Sequence, residues 1–264
     1  MKYIRIYIGF LKNNIERELQ FRFNFFVHMF TVVLGYFGNV LFYHFLYNNV
    51  GQVAGWGRYE IYILLATVWI VDSIFGGVFF FNLIQIPTKV KKYELDYILL
   101  KPISTIFMLS LRNFNMGLFS GVFFGGALLI YTIMKLSLTI NFFSIFIYLV
   151  LVIIGVVILY CVLFIMVTFS LKFVKINGLI QMFWCLADLG KNPHSIYPIG
   201  VKYVLISLMP FLVIYNFPTI AIIKSHYIFG MNLFCIVLSS IVIALVLLSF
   251  AVKFFGRTIK CYYN

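Results

Sequence analysis

From Phe142 to Leu171 the chain runs without a charged residue, and nearly every position is apolar. A helix of about 20 such residues already crosses the hydrocarbon core of a bilayer. Lipid offers the backbone no hydrogen-bond partners, so a segment of this kind must satisfy its own N–H and C=O groups, which a helix does internally. The whole chain is of the same character: of 264 residues, 64% are hydrophobic, 20% aromatic and 10% charged. We expect an all-α integral membrane protein, with residues 1–264 forming a single transmembrane domain and no separate soluble unit.

Six transmembrane helices fit the length. The apolar runs place them at about residues 23–47, 60–84, 103–134, 142–171, 176–190 and 227–255, the fifth of them short. Ahead of the first, Ile4, Ile8, Leu11, Ile15 and Leu19 recur at helical spacing among charges, the pattern of an interfacial elbow helix over residues 1–22. Residues 191–226 read as an external segment with re-entrant helices before the last span, because Pro193, Pro198, Pro210 and Pro218 interrupt it. If residues 177–202 instead lie on the inner face, the fifth span becomes about 203–223 and the count of six stands.

The net charge of +13 would point to nucleic acid in a soluble protein; here the basic residues sit between and before the spans, where orientation and anionic lipid account for them. The layout puts fifteen Lys and Arg on the inner side, including Lys89, Lys91, Lys92, Lys172 and Lys175, and five outside, Arg58, Lys135, Lys191, Lys202 and Lys224. Both termini are then cytoplasmic. No small-residue cleavage site follows the basic N-terminus, so no cleaved signal peptide is expected.

The chain contains no Walker-type phosphate loop, no Gly-x-Ser-x-Gly elbow and no His-Glu-x-x-His helix, so we expect no catalytic residues and no metal. Cys161, Cys185, Cys235 and Cys261 are scattered, with neither disulfide nor zinc spacing. Asp72 is the acid deepest in an apolar run and is a candidate pathway residue; a buried Asp that is protonated or hydrogen-bonded to a neighbouring helix is the equal alternative. His28 and His44 read as packing residues, and Asp188 as a span-end carboxylate whose solvation costs little. Gly117, Gly121 and Gly125, four apart, form one helical face for close approach of another helix, more readily of the same chain than of a second subunit.

Between the second and third spans lies a charged, aromatic insert, residues 85–102. A helix from Thr88 onward would gather Val90, Tyr93, Tyr97 and Leu100 on one face and leave Lys92, Glu94 and Asp96 on others. Such a helix can rest on lipid or fill a partner's groove.

Two sets of residues carry a resemblance. Leu95-Asp96-Tyr97-Ile98-Leu99-Leu100-Lys101-Pro102 is similar to the Leu-Asp-x-x-Leu-Leu-[Lys/Arg]-Pro signature of permease subunits of bacterial ATP-binding cassette (ABC) exporters of the second type. Phe183-Trp184, Ile196-Tyr197-Pro198, Met209-Pro210-Phe211 and Asn216-Phe217-Pro218 follow in that branch's order. Tyr93 departs from the Gly that the branch shows before its Glu-Leu-Asp run, and the stretch from Gly256 to Tyr262 is only loosely similar. The resemblance implies a multi-pass permease of the bacterial plasma membrane that pairs with a second permease and with ABC ATPase subunits, which hold the ATP and Mg. It makes the insert a cytoplasmic coupling helix, with Lys91, Tyr93, Glu94, Leu95, Asp96 and Tyr97 as the ATPase contact. A pathway walled by Phe, Tyr and Ile would suit an apolar or amphipathic cargo, such as a peptide antibiotic, drug or lipid-like molecule. The rival reading is a stand-alone secondary transporter or channel, which would need intramembrane acid or His relays and matched broken helices in both halves.

Overall fold

The structure, a computed structural model, describes residues 2–20, 22–136, 141–171, 177–225, 228–230 and 232–262. Lys172 and Lys175, and the boundaries expected at Ile176, His226 and Tyr227, lie outside the described residues. Among those residues no β-strand occurs, and five helices are long and apolar enough to cross a membrane.

Helix α1 (Lys2–Gln20) turns Ile4 and Ile8 outward and buries Asn14. The Asn14 amide donates to the Arg112 carbonyl at 2.9 Å, and the Glu18 carboxylate accepts the Met116 N–H at 3.1 and 3.2 Å. Helix α1 is therefore tied to the body through polar contacts, leaving isoleucines free for an apolar medium. Helix α2 (Arg22–Val50) exposes Phe23, Phe26, Phe30, Leu34, Phe37, Leu41 and Phe45, a stripe at three- and four-residue spacing that only hydrocarbon or protein can cover.

The loop after α2 turns sharply through Gly51 and Gly55, whose φ of 73° and 85° favours glycine, and an isolated bridge pairs Val53 with the fully buried Trp56. Helix α3 (Arg58–Phe75) follows, started by the Glu60 carboxylate accepting the Gly57 N–H at 2.8 Å. It runs through a π-helical turn, Gly76–Phe80, into α4 (Phe81–Ile84) and α5 (Ile86–Lys91), so that Arg58–Lys91 forms one 34-residue span. Pro87 is accommodated because it sits in the first turn of α5, where no intrahelical N–H is needed. Helix α6 (Glu94–Leu99) completes the insert.

The third span departs from the expected continuous run over 103–134. Helix α7 (Thr105–Leu111) ends, residues 112–115 are not helical, and α8 (Met116–Phe119) and α9 (Gly121–Leu136) make a span of Met116–Leu136. Asparagines cause the break. Asn82 donates to the Asn113 carbonyl at 2.7 Å and accepts its N–H at 2.8 Å, while the Asn115 side chain caps α8 by accepting the Leu118 N–H at 2.9 Å. The Asn115 N–H reaches the Gly77 carbonyl in the π turn at 2.9 Å. These bonds replace the helical ladder that a continuous span would need.

Helix α10 (Phe142–Thr168) is extended by a 3₁₀ turn, Phe169–Leu171, and lies at the centre of the bundle. Tyr148 and Thr67 hydroxyls meet at 3.2 Å, and twelve residues further along both segments the Tyr160 ring meets Phe79, so α10 runs parallel to the Arg58–Lys91 span and ends beside the insert; Tyr160 also meets the Ser110 hydroxyl of α7 at 2.8 Å. Helix α11 (Asn177–Gly190) is 14 residues long, about 21 Å, which is short of a hydrocarbon core of about 30 Å. Helix α12 (Ile199–Tyr203) continues through a π turn, Val204–Leu208, and meets α13 (Phe211–Ile223) at a bend of 99°. Every residue of α13 is buried. Pro218 inside it cannot bond the Ile214 carbonyl, and that carbonyl faces Gly155 of α10, where any side chain would collide. Helix α14 (Leu233–Tyr262) closes the chain, with Phe254 and Phe255 against Phe169 and Phe164.

Candidate functional site

Asp72 sits fourteen residues into the span that starts at Arg58, about 21 Å along the helix axis and well inside the apolar layer. It is not isolated there. Lys191 Nζ lies 3.0 Å from Asp72 Oδ2 and 2.8 Å from Asp188 Oδ1, and the Tyr215 hydroxyl donates to Asp72 Oδ1 at 2.6 Å. The ammonium also lies 5.5 Å from the Trp184 ring centroid. Three elements therefore meet at the Asp72 carboxylate, α3, the segment just after α11, and α13, and α11 joins them through Asp188 on Lys191.

The chain brings Lys191 to Asp72 by local chemistry at the end of α11. Gly190 permits the approach of α13, since a side chain there would strike the Phe211 carbonyl. Asn216, fully buried in α13, then holds the next turn: its amide donates to the carbonyls of Gly190 and Asn192 at 2.9 and 3.1 Å, and its oxygen accepts the His194 N–H at 2.9 Å. Beyond it the segment rises to the loop after α2, where Ser195 Oγ donates to the Ala54 carbonyl at 2.9 Å and the His194 ring meets Trp56 edge-on. After α13 the chain returns to the same end, with Ser225 Oγ donating to Glu60 at 3.2 Å.

The electrostatics of the cluster are those of one cation shared by two carboxylates, a net charge of −1. The side chains of Asp72 and Lys191 are 23% and 26% exposed, whereas Asp188 is 64% exposed. A carboxylate that open at this depth is tolerated only beside water or another protein, because hydrocarbon would penalise it by several kcal/mol. The face of α11 bearing Asp188 is therefore one that water or a second protein would have to cover.

Gly117, Gly121 and Gly125 face two helices of the same chain. A side chain at Gly117 would meet His28 Nδ1, one at Gly121 the Ser73 and Tyr36 hydroxyls, and one at Gly125 Ile70 and the Ala66 carbonyl. The seam lets Tyr36 reach Ser73, hydroxyl to hydroxyl at 3.1 Å, while its ring stacks on Trp69 with centroids 4.2 Å apart. His28 thus packs against the seam and has no ligand-like partner set among the described residues.

The insert is helical but divided, which corrects the single helix expected from Thr88 onward. Helix α5 ends at Lys91, and Tyr93 adopts the left-handed conformation at φ 57° before α6 begins. Leu95 and Ile98 are buried, anchoring α6, while Tyr97 and Leu100 stay 73% and 82% exposed beside exposed Lys91, Lys92, Tyr93 and Glu94 and half-buried Asp96. A left-handed non-glycine residue costs about 1–2 kcal/mol, partly offset by the greater entropy that glycine loses on folding. Tyr93→Gly should therefore raise stability by up to about 1 kcal/mol in thermal unfolding, and Tyr93→Ala, which keeps the strain, should not.

Residues 33–263 match the family described as ABC-2 family transporter protein. The match takes in most of the chain, including both the polar cluster and the insert, so the protein belongs to this family of ABC transporter membrane components. Membership makes it a multi-pass membrane permease component, a class that is generally non-catalytic, and implies association with ABC ATPase partners. No match was found to a curated protein or to a solved structure.

Sequence reasoning singled out Asp72 but missed the residues that complete its site, Lys191, Asp188 and Tyr215. The only signal available was the unusual placing of a Lys and an Asp three residues apart at the end of an apolar helix.

Proposed function

We propose that this chain is the permease subunit of an ABC exporter, forming a substrate pathway with a second permease and driven by separate ATPase subunits that bind ATP and Mg. The observation that carries the reading is the divided insert. It stands at one end of the bundle with Tyr93, Tyr97 and Leu100 exposed among charges, an aromatic, charged knob of the kind that fits a groove in a soluble partner. Helix α1, the insert and the last turns of α14 lie at this same end, which carries most of the basic residues and is the cytoplasmic side by the charge rule.

Six crossings follow on this reading. Helix α10 ends beside the insert, and Ser195 is at the opposite end, so α11 with residues 191–195 supplies the fifth crossing. Residues 195 and 225 both touch the loop end, which makes α12 and α13 a re-entrant pair, external, and leaves α14 as the sixth. The space beside Asp188 is the pathway, shared with the second permease, and Asp72 and Lys191 line it. Its surroundings are rich in Phe, Tyr and Trp, in keeping with an amphipathic cargo whose polar end meets the cluster. ATP binding closes the ATPase pair, draws the inserts together and tilts the spans between inward-open and outward-open states.

The test is Asp96→Lys in the assembled transporter. Membrane insertion should be unchanged, while transport and permease-stimulated ATP hydrolysis fall at least tenfold; wild-type values for both would remove the insert from the coupling role. A stand-alone transporter, by contrast, would move cargo with no ATPase subunit present.

A further inference from the structure

Beside the insert lies a hollow of about 360 Å³, bounded by Arg17 and Glu18 of α1, Gln85, Lys89 and Glu94 of the insert region, and Arg112 to Asn115 of the break before α8. Lys89 is only 7% exposed, and its buried ammonium has no hydrogen-bond partner among the described residues. A buried, unpaired cation is costly and is normally compensated. Among the described residues ion pairs join Lys12 to Glu16 and Lys191 to Asp72 and Asp188, and none involves Lys89, Arg17 or Arg112; the Glu94 carboxylate offsets the Lys89 charge only from a distance, and Arg112 opposes it.

The other polar groups of the hollow are largely committed. Glu18 receives the Met116 N–H, Arg17 donates to Asn14 at 3.1 Å, Gln85 accepts from Asn113 at 3.3 Å, and the Asn115 side chain caps α8. Arg112 engages Asn14 through its carbonyl, and its guanidinium has no hydrogen bond or ion pair among the described residues. Three cations against two carboxylates leave one positive charge in excess, with an ammonium and a guanidinium both lining the space.

We propose that this hollow is a binding site for a phosphate-bearing group, held by Lys89 and Arg112 with Arg17 at its rim. A phosphate matches the set: it carries one or two negative charges and several acceptor oxygens, and guanidinium binds it bidentately. The site's position favours a phospholipid headgroup as the source. Helix α1, which forms one wall, exposes Ile4 and Ile8 as an amphipathic helix does at the depth of headgroups, where anionic lipid gathers around basic clusters. Since Lys89 and Glu94 belong to the insert and Glu18 to α1, an occupant would join the two. The proposal does not depend on the permease reading, as it concerns only the chain in its membrane.

The test uses the full chain in detergent, titrated with short-chain phosphatidylglycerol, with short-chain phosphatidylcholine, and with inorganic phosphate. Phosphatidylglycerol should bind in preference to phosphatidylcholine, and Lys89→Met and Arg112→Gln should each weaken it roughly tenfold, the loss of one charge-assisted contact. Lys12→Gln, on α1 but outside the hollow, should leave it unchanged. Thermal unfolding separates this from misfolding, because Lys89→Met removes a buried unpaired charge and should not lower stability. Saturable binding of inorganic phosphate that the same two substitutions weaken supports the site and assigns it to a free anion. Binding of neither probe, or binding equally strong in both variants, overturns the proposal.

Discussion

Lys191→Met should destabilise the protein by about 3–5 kcal/mol, the range for breaking a buried ion pair by removing one partner, and transport should fall to background. The reason is the charge left behind. Asp72 would keep only the Tyr215 hydroxyl, and its carboxylate would stand uncompensated among α3, α11 and α13. Asp188 is largely open and would bear its loss cheaply. The double variant Asp72→Asn with Lys191→Met removes both charges and should regain most of the stability in thermal unfolding, though not transport. If the double variant is no more stable than the single, the pair is not what the cluster contributes to the fold. A buried pair of this kind need not stabilise the protein relative to apolar residues.

Asn216→Leu should cost about 3 kcal/mol or more, since it strips bonds from two carbonyls and one N–H in a buried turn at 1 kcal/mol or more each. Leucine nearly conserves the volume, so loss of packing is a minor part of the effect. The damage should be local first: limited proteolysis should cut within residues 190–195 before the rest of the bundle opens. Resistance equal to that of the unsubstituted protein would mean that the Trp56 and Ser195 contacts alone hold this turn.

Much of the architecture was legible because hydrocarbon imposes one rule on every span. The stretch from Phe142 to Leu171 could only be a helix, and the ends of α2 and α10 and the start of α3 fell close to their expected places, whereas the second span runs on to Lys91. The glycine seam was likewise visible, because spacing of four fixes a shared face whatever it packs against. What escaped was settled by asparagine. Asn82 and Asn216 pair their side-chain amides with backbone groups far away in sequence, and with the Asn115 cap on α8 those bonds end one helix and pin a turn. Nothing in a local window distinguishes such an amide from one facing solvent. Lys191 escaped for a related reason: its partner Asp72 lies on another span, and a count of basic residues assigns it to a side rather than to a carboxylate.

Tyr93 stands where the similar signature has Gly, and the backbone there is left-handed. The fold has kept the glycine conformation and accepted the strain of tyrosine, which fixes α6 at an angle to α5 and keeps the phenol outward.

The π turn at Gly76–Phe80 carries a geometric result for everything downstream of it. A π turn holds roughly one residue more than an α turn, and each residue of an α-helix sweeps about 100° around its axis. The insert therefore faces its present direction, relative to Asp72, because of that additional residue; an uninterrupted α-helix of the same length would swing Tyr97 and Leu100 roughly a quarter of a revolution or more away. The azimuth of the knob is written into the helix a full membrane leaflet before the knob begins.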